Sequence, residues 1–401
     1  MKTTYGASTY LATVTSGQHR GVAFDSHSPI FNNLPPVTFI SGSPGSGKTF
    51  CGLNIVAKDA ILGKTVIVLD YKGDFLCLAN LKQELGNINV WDLSSKRSCG
   101  VLDPFRLSDD AGKQLNLAIS AIEIFTGGLS DNQLTVLSPI VQDIIKSSEP
   151  SLMNVVESLR SSTREVARDL GTKLDIIRKL PYAKVAFAPP GQEQEKVDIN
   201  RGVTIISLAG MDMPKTQEEM TSTNTGRLAS GVLFLIMQYI QDVMGHSKSF
   251  PPKTLFIDEA WSVLSSKAGG ATVKAVALLG RSKNMALIIA TQNITHLDGI
   301  DINSTISTRF AFRTSKEESA AICDAMDLPK DEGFEGILTG LGQGECLMQD
   351  FQNRHEIIHI EGWNKEWNKA FETNPLQKLQ EEKKRRAQEK KARRLKQRQE
   401  S

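Results

Sequence analysis

Eight consecutive residues, Gly42-Ser43-Pro44-Gly45-Ser46-Gly47-Lys48-Thr49, match the pattern G-x-x-x-x-G-K-[ST] in full. Three glycines let the backbone turn tightly and aim successive N–H groups at phosphate oxygens, and a helix starting behind the loop adds the positive end of its dipole. Lys48 then reaches the β- and γ-phosphates, and the Thr49 hydroxyl helps to hold Mg²⁺. Gly42 through Phe50 is therefore read as the site for a nucleoside triphosphate. A second set of chemically capable residues lies far downstream. Asp258 and Glu259 end the apolar run Thr254-Leu255-Phe256-Ile257, with Asp258 suited to the Mg²⁺ shell and Glu259 to orienting and deprotonating a water. Gln292 closes a similar run, Ala286 to Ala290, and is placed to face the γ-phosphate. Arg281, Arg309 and Arg313 are candidate donors to transition-state charge, each equally readable as a surface ion-pair partner.

These residues do their chemistry only if strands and helices hold them. Val37 to Ile40 predicts a buried strand entering the loop, and Cys51 to Leu62 predicts the helix leaving it. Thr65 to Asp70 is a continuous apolar run ending in a carboxylate, as a buried parallel strand is, and Ile88 to Trp91 predicts another. Asp70 and Lys72 follow the second strand, at the same sheet edge or in a structural turn. From Asp109 to Leu180 apolar residues recur at helical spacing, as at Leu115, Ala118, Ile119 and Ile122, with no strand between them. Alternation resumes with strands at 202–208, 254–257, 286–290 and 309–313 and helices between them, and Glu345 to Gln349 and His355 to Ile360 predict edge strands. The pattern predicts a mostly parallel sheet covered by helices on both faces. It divides into a lead-in (1–34) beside the nucleotide site, a core (35–108 and 200–365), an inserted helical subdomain (109–199) and a tail (377–401).

Composition sets outer limits. The 401 residues are 40% hydrophobic and 23% charged, as in a globular α/β chain with room for an insertion. Five scattered cysteines, without C-x-x-C spacing, suggest neither a zinc site nor a disulfide framework, and a reducing, cytoplasmic location fits them. The longest apolar runs are too short to cross a bilayer, so attachment to the inner face of a membrane would need another component. The net charge of +2 conceals a tail, Lys378 to Ser401, with eleven Lys/Arg against four Glu, a balance of +7 that leaves −5 for residues 1–377. The tail reads as a solvated charged end or as a contact for nucleic acid or acidic lipid.

The ordered set Gly42 to Thr49, Asp70-Tyr71-Lys72-Gly73-Asp74, Asp103-Pro104-Phe105, Ile257-Asp258-Glu259-Ala260-Trp261, Gly280 to Asn284 and Ala290-Thr291-Gln292-Asn293 resembles the motor domain of conjugative type IV secretion ATPases of the TraC/TrbE kind, within the FtsK/HerA group. The resemblance covers roughly residues 20–365. It implies a RecA-like P-loop NTPase core with an inserted all-helical subdomain. It also implies ATP and Mg²⁺ as cofactors, a homo-hexameric ring and docking to envelope channel components, with an arginine supplied by the next subunit. Family members usually carry a large N-terminal domain, whereas this chain starts almost at the motor. The D-Y-K-G-D segment also resembles coupling proteins that pump DNA, which normally have N-terminal membrane helices. A DNA translocase threading DNA through the ring interior, and a nucleotide-dependent scaffold with little turnover, therefore stand beside the secretion motor. Deleting residues 377–401 tests the tail: if it contacts DNA, affinity for duplex falls and its salt dependence becomes shallower.

Overall fold

The structure is a computed structural model of the whole chain, described here for residues 8–15, 20–95, 98–189, 202–211, 217–246, 251–264, 267–292, 294, 302–329 and 332–372. Among the described residues eleven strands form one sheet: β1 (Thr9–Val14), β2 (Gly21–Phe24), β3 (Val37–Ser41), β4 (Thr65–Asp70), β5 (Ile88–Asp92), β6 (Gly202–Ser207), β7 (Lys253–Ile257), β8 (Met285–Thr291), β9 (Thr308–Phe312), β10 (Glu345–Gln349) and β11 (His355–Ile360). Their order is β2-β1-β11-β10-β9-β3-β8-β7-β4-β6-β5. The seven strands from β9 to β5 run parallel, and the four from β10 to β2 are antiparallel.

Alternate residues of the parallel strands feed two cores, because successive side chains of a strand point to opposite faces. Val66 and Val68 of β4 pack with the loop helix (Lys48–Ile61) and with the 3-10 segment Asp74–Leu81. Ile67 and Leu69 pack on the other face, with the helices Asn224–His246 and Lys267–Lys283. Being buried on both sides explains why these strands read as unbroken apolar runs rather than as an alternating pattern.

Between β5 and β6 the described residues form four α-helices, Ala111–Thr126, Asp131–Ile145, Leu152–Arg160 and Glu165–Ile177. Asp110, Ser130 and Ser151 cap the first three by accepting from the N–H three residues on. Leu137, Val141, Leu159 and Leu170 are buried in the same core as the helix Asn224–His246, so the block grows out of one sheet face. Asp103 fastens it. The fully buried carboxylate accepts from the backbone N–H groups of Phe105 (3.1 Å), Leu152 (2.9 Å) and Ala188 (3.3 Å), joining the start of the third helix and the segment that follows the block to the segment that precedes it.

Two placements differ from the sequence expectation. β10 and β11 are not the sheet's edge: β11 pairs with β1, and β2 forms the rim. The lead-in is thereby part of the sheet as well as a neighbour of the loop helix, because Leu11, Ala12 and Val14 are buried with Ile358 and Ile360 of β11 and with Leu53 and Val56 of that helix. The fold also continues past residue 365 into a short helix, Lys365–Ala370.

Burial pushes the Asp103 carboxyl up to about 7, a shift that the three N–H donors and Arg106 oppose without cancelling. A carboxyl whose folded pKa lies above its unfolded value gives stability that is fully present at low pH and lost as pH rises through the folded pKa. The melting temperature of the wild type minus that of Asp103→Asn should therefore fall as pH rises from 3.8 to about 7 and level off above that, measured by calorimetry. Asp103→Ala, which strands three buried donors, should destabilise the fold by about 3 kcal/mol.

Candidate nucleotide site

β3 ends at Ser41, and the chain turns at once into the loop. Gly42 has φ +149°, and a Cβ there would lie 2.6 Å from the Cβ of Phe312 at the end of β9. Gly47 has φ +117°, and its Cβ would meet the backbone of Gly344 at 3.1 Å. Both positions require glycine for conformation and for space. The loop is clasped from both sides: the Ser43 N–H donates to the Arg313 carbonyl (2.8 Å), and the Gly344 N–H donates to the Ser46 carbonyl (2.9 Å). The helix starting at Lys48 leaves its first N–H groups without intrahelical acceptors at this edge, which favours an anion there. Lys48 Nζ donates to the carbonyls of Gly42 (2.6 Å) and Ser43 (3.1 Å). Burial lowers its pKa to about 8; Glu259 opposes the shift and Lys72 adds to it.

β8 lies between β3 and β7, so the end of β7 faces the loop across a single strand. Past β7, the Asp258 N–H donates to Leu69 of β4 (3.0 Å) and the Ala260 N–H to Ala290 of β8 (2.9 Å). Bridging both neighbours in three residues forces a sharp turn, and Glu259 takes it at φ +47°. A non-glycine residue in that region costs about 1 kcal/mol, and here the two backbone bonds hold it. Glu259 Oε1 accepts from Gln292 Nε2 (2.8 Å) and from Lys72 Nζ. Asp258 Oδ2 is buried without a hydrogen-bond partner, and burial, reinforced by the charges of Glu259 and Asp70, raises the Asp258 pKa to about 7. An orphaned carboxylate oxygen close enough to Lys48 to feel its charge fits a divalent cation that also takes the Thr49 hydroxyl.

Pro44, Gly45, Gly47, Lys48, Thr49, Phe50, Lys72 and Glu259 line one cleft of about 600 Å³. The structure thus brings the loop, Glu259 and Gln292 together, with Asp258 behind them. It does not bring the arginines with them. Arg313 contributes its backbone carbonyl to the loop while its side chain is exposed. The Arg309 guanidinium is held by Gln349 Oε1 (3.0 Å) and by the carbonyls of Ile306 (3.2 Å) and Asn303 (3.0 Å). Arg281 donates to the Asn33 carbonyl (2.8 Å), before β3 and therefore at the opposite sheet edge from the loop. Asp70 is a turn residue: its carboxylate accepts from the N–H groups of Gly73 (2.8 Å) and Phe75 (3.0 Å). Asn293 and the tail lie outside the described residues.

Sequence reading missed the far wall of the cleft, formed by Gly344, residues 359–362 and the helix Lys365–Ala370. Phe371 packs edge-on against Phe50 with ring centroids 6.1 Å apart. The signal was present in Trp363, Trp367 and Phe371, aromatic residues at successive i+4 positions.

The sequence model of the AAA-like domain matches residues 32–371, which contains the loop, both carboxylates and the far wall. The chain belongs to the AAA-like domain family. Among solved structures, VirB4 of Thermoanaerobacter pseudethanolicus superposes with a TM-score of 0.71 at 14% identity, covering 91% of this chain and 99% of that one. The bacterial conjugative coupling protein TrwBdeltaN70, in its unbound monoclinic form, gives 0.53 at 13% identity, covering 90% of each chain. Both likenesses are of fold. The uncharacterized protein YddE of Bacillus subtilis (strain 168) is 21% identical over 361 residues. That match takes in 84% of this chain but 43% of YddE, so the chain spans less than half the length of that relative. No described helix of this AAA-like domain protein is long and apolar enough to cross a membrane. The clash at Gly47 yields a direct test: Gly47→Ala should weaken binding of a fluorescent ATP analogue at least tenfold, by titration, while the far-ultraviolet circular dichroism spectrum is unchanged.

Proposed function

We propose that this chain is an ATP-hydrolysing motor of a conjugation-type (type IV) secretion apparatus, acting as a homo-hexamer at the cytoplasmic side of an envelope channel. The observation that carries the reading is the meeting of Lys48 and Glu259 in one cleft, with the buried carboxylate of Asp258 close enough for its charge to act on Lys48. The VirB4-like fold over nine-tenths of the chain supports the cellular assignment.

In this reading the loop N–H groups and Lys48 bind the phosphates, and the Phe50–Phe371 wall closes the cleft beside them. Thr49 and Asp258 would hold Mg²⁺, which when bound neutralises charge on the β- and γ-phosphates. Glu259 takes a proton from water as the water oxygen bonds to the γ-phosphorus. The bond to the β,γ-bridging oxygen breaks, and ADP and inorganic phosphate leave. Gln292, hydrogen-bonded to Glu259, fixes the carboxylate's direction. An arginine from the adjacent subunit completes the charge balance. Arg281 and Arg313 are exposed and available for that role, whereas Arg309 is committed within its own chain.

ATPase rate, measured with and without duplex DNA over a range of protein concentrations, tests the proposal. The rate per chain should rise with concentration, because the site is completed between subunits. Glu259→Gln should lower it at least a hundredfold while nucleotide still binds. Unchanged turnover in Glu259→Gln removes the catalytic assignment, and strong stimulation by DNA transfers the motor to DNA translocation.

A further inference from the structure

The ion pair between Lys72 and Glu259 occupies one oxygen, Oε1, of the carboxylate on which hydrolysis is proposed to depend. Glu259 Oε1 already accepts from Gln292 and from Lys72, and an oxygen engaged by an ammonium group is poorly placed to take a proton from water. The two partners differ in freedom: the Lys72 side chain is 48% exposed and that of Glu259 is 7% exposed. Lys72 is therefore the partner able to move. It is presented by a built turn, in which the Asp70 carboxylate binds the N–H groups of Gly73 and Phe75 and Gly73 sits at φ +83°.

Its place in the sheet limits what Lys72 meets. β4 lies three strands from β3, so its end is about 14 Å from the loop strand at ordinary strand spacing. A phosphate chain held by the loop and directed toward β7 presents its terminal phosphate, not its first, to a cation beyond Glu259. The charges of the cleft demand such a cation. Among its described lining residues the ammonium groups are Lys48 and Lys72, against Asp74, Glu259, Glu361 and Glu372. A triphosphate entering there competes with Glu259 for Lys72.

We infer that Lys72 is a triphosphate-sensing latch: it holds Glu259 Oε1 until a terminal phosphate draws it away, which frees that oxygen for water. ADP, one phosphate shorter, leaves the latch closed. The inference rests on the nucleotide-binding reading above and assigns Lys72 a direct contact with the substrate.

Calorimetric titration of the full chain with a non-hydrolysable ATP analogue and with ADP, both with Mg²⁺, tests it without turnover. Lys72→Met should weaken the analogue about tenfold and ADP less than about twofold, as expected for loss of one charge-assisted contact. Lys72→Arg should keep most of the preference. Glu259→Gln, which removes the competing carboxylate, should bind the analogue more tightly than wild type and leave ADP unchanged. Equal loss of both ligands in Lys72→Met, no loss of either, or weaker analogue binding in Glu259→Gln overturns the latch. Wild-type protein that binds neither nucleotide instead removes the proposed function.

Discussion

Parallel strands covered on both faces have little freedom of register, and the candidate site depends on that constraint. A slip of one residue along β4 would exchange Val66 and Val68 with Ile67 and Leu69 between the two cores and misplace every neighbour. With register fixed, Ser41 lies beside Thr291, Ile257 beside Ile289 and Leu69 beside Ile257. The segments after these residues leave the sheet at nearly the same level. The loop, Gln292, the Asp258–Glu259 turn and Lys72 are those segments. Their proximity follows from strand pairing, and side-chain contacts then refine it.

The far end of the loop helix is fixed by a different interaction. Lys64 Nζ, buried, donates to Asp25 (2.7 Å) and Asp59 (2.6 Å), and Asp59 also accepts from Thr254 Oγ1 (2.7 Å) at the start of β7. Burial opposes the charge on Lys64, but Asp59 and Asp25 outweigh it and hold its pKa above the usual lysine value. Such a group stabilises by being fully paired; removing one partner leaves a buried charge, which is strongly destabilising. The helix is thus set by the phosphate loop at one end and tied at the other to the strand that carries the carboxylates. This gives the lead-in a mechanical part in positioning the site, although Asp25 lies at the opposite sheet edge.

The antiparallel strands contribute the outer wall. Glu361, just after β11, accepts from Thr13 Oγ1 (2.7 Å) and from Tyr10, so β1 steadies the strand end that faces the loop. Trp367 is fully buried, and its indole N–H donates to Glu84 Oε2 (2.5 Å), which docks the helix Lys365–Ala370 beside the phosphate loop. The helical block between β5 and β6 joins the opposite core and does not line the nucleotide cleft.

Much of this was legible in the chain. The loop pattern, the strand entering it and the apolar runs ending in Asp70, Asp258 and Gln292 are local signals, written in residues that are neighbours in sequence. They determined a phosphate-binding loop in an α/β sheet and, through I-D-E-A-W and the R-S-K-N segment before A-T-Q, the family likeness. Weak local signals hid the rest. The helix Glu332–Gly340 contains Gly333 and Gly336, poor helix formers, and owes its place to Leu338 buried in the core. Six residues, Lys365–Ala370, are too few to form a stable helix alone, and Trp367 anchors them through a residue 283 positions away. The sequence determined which groups could do the chemistry; strand order and turn geometry decided which of them meet. Only packing of both sheet faces could place Lys72 on Glu259, enclose Arg309 and leave Arg313 exposed, because those outcomes depend on neighbours far apart along the chain.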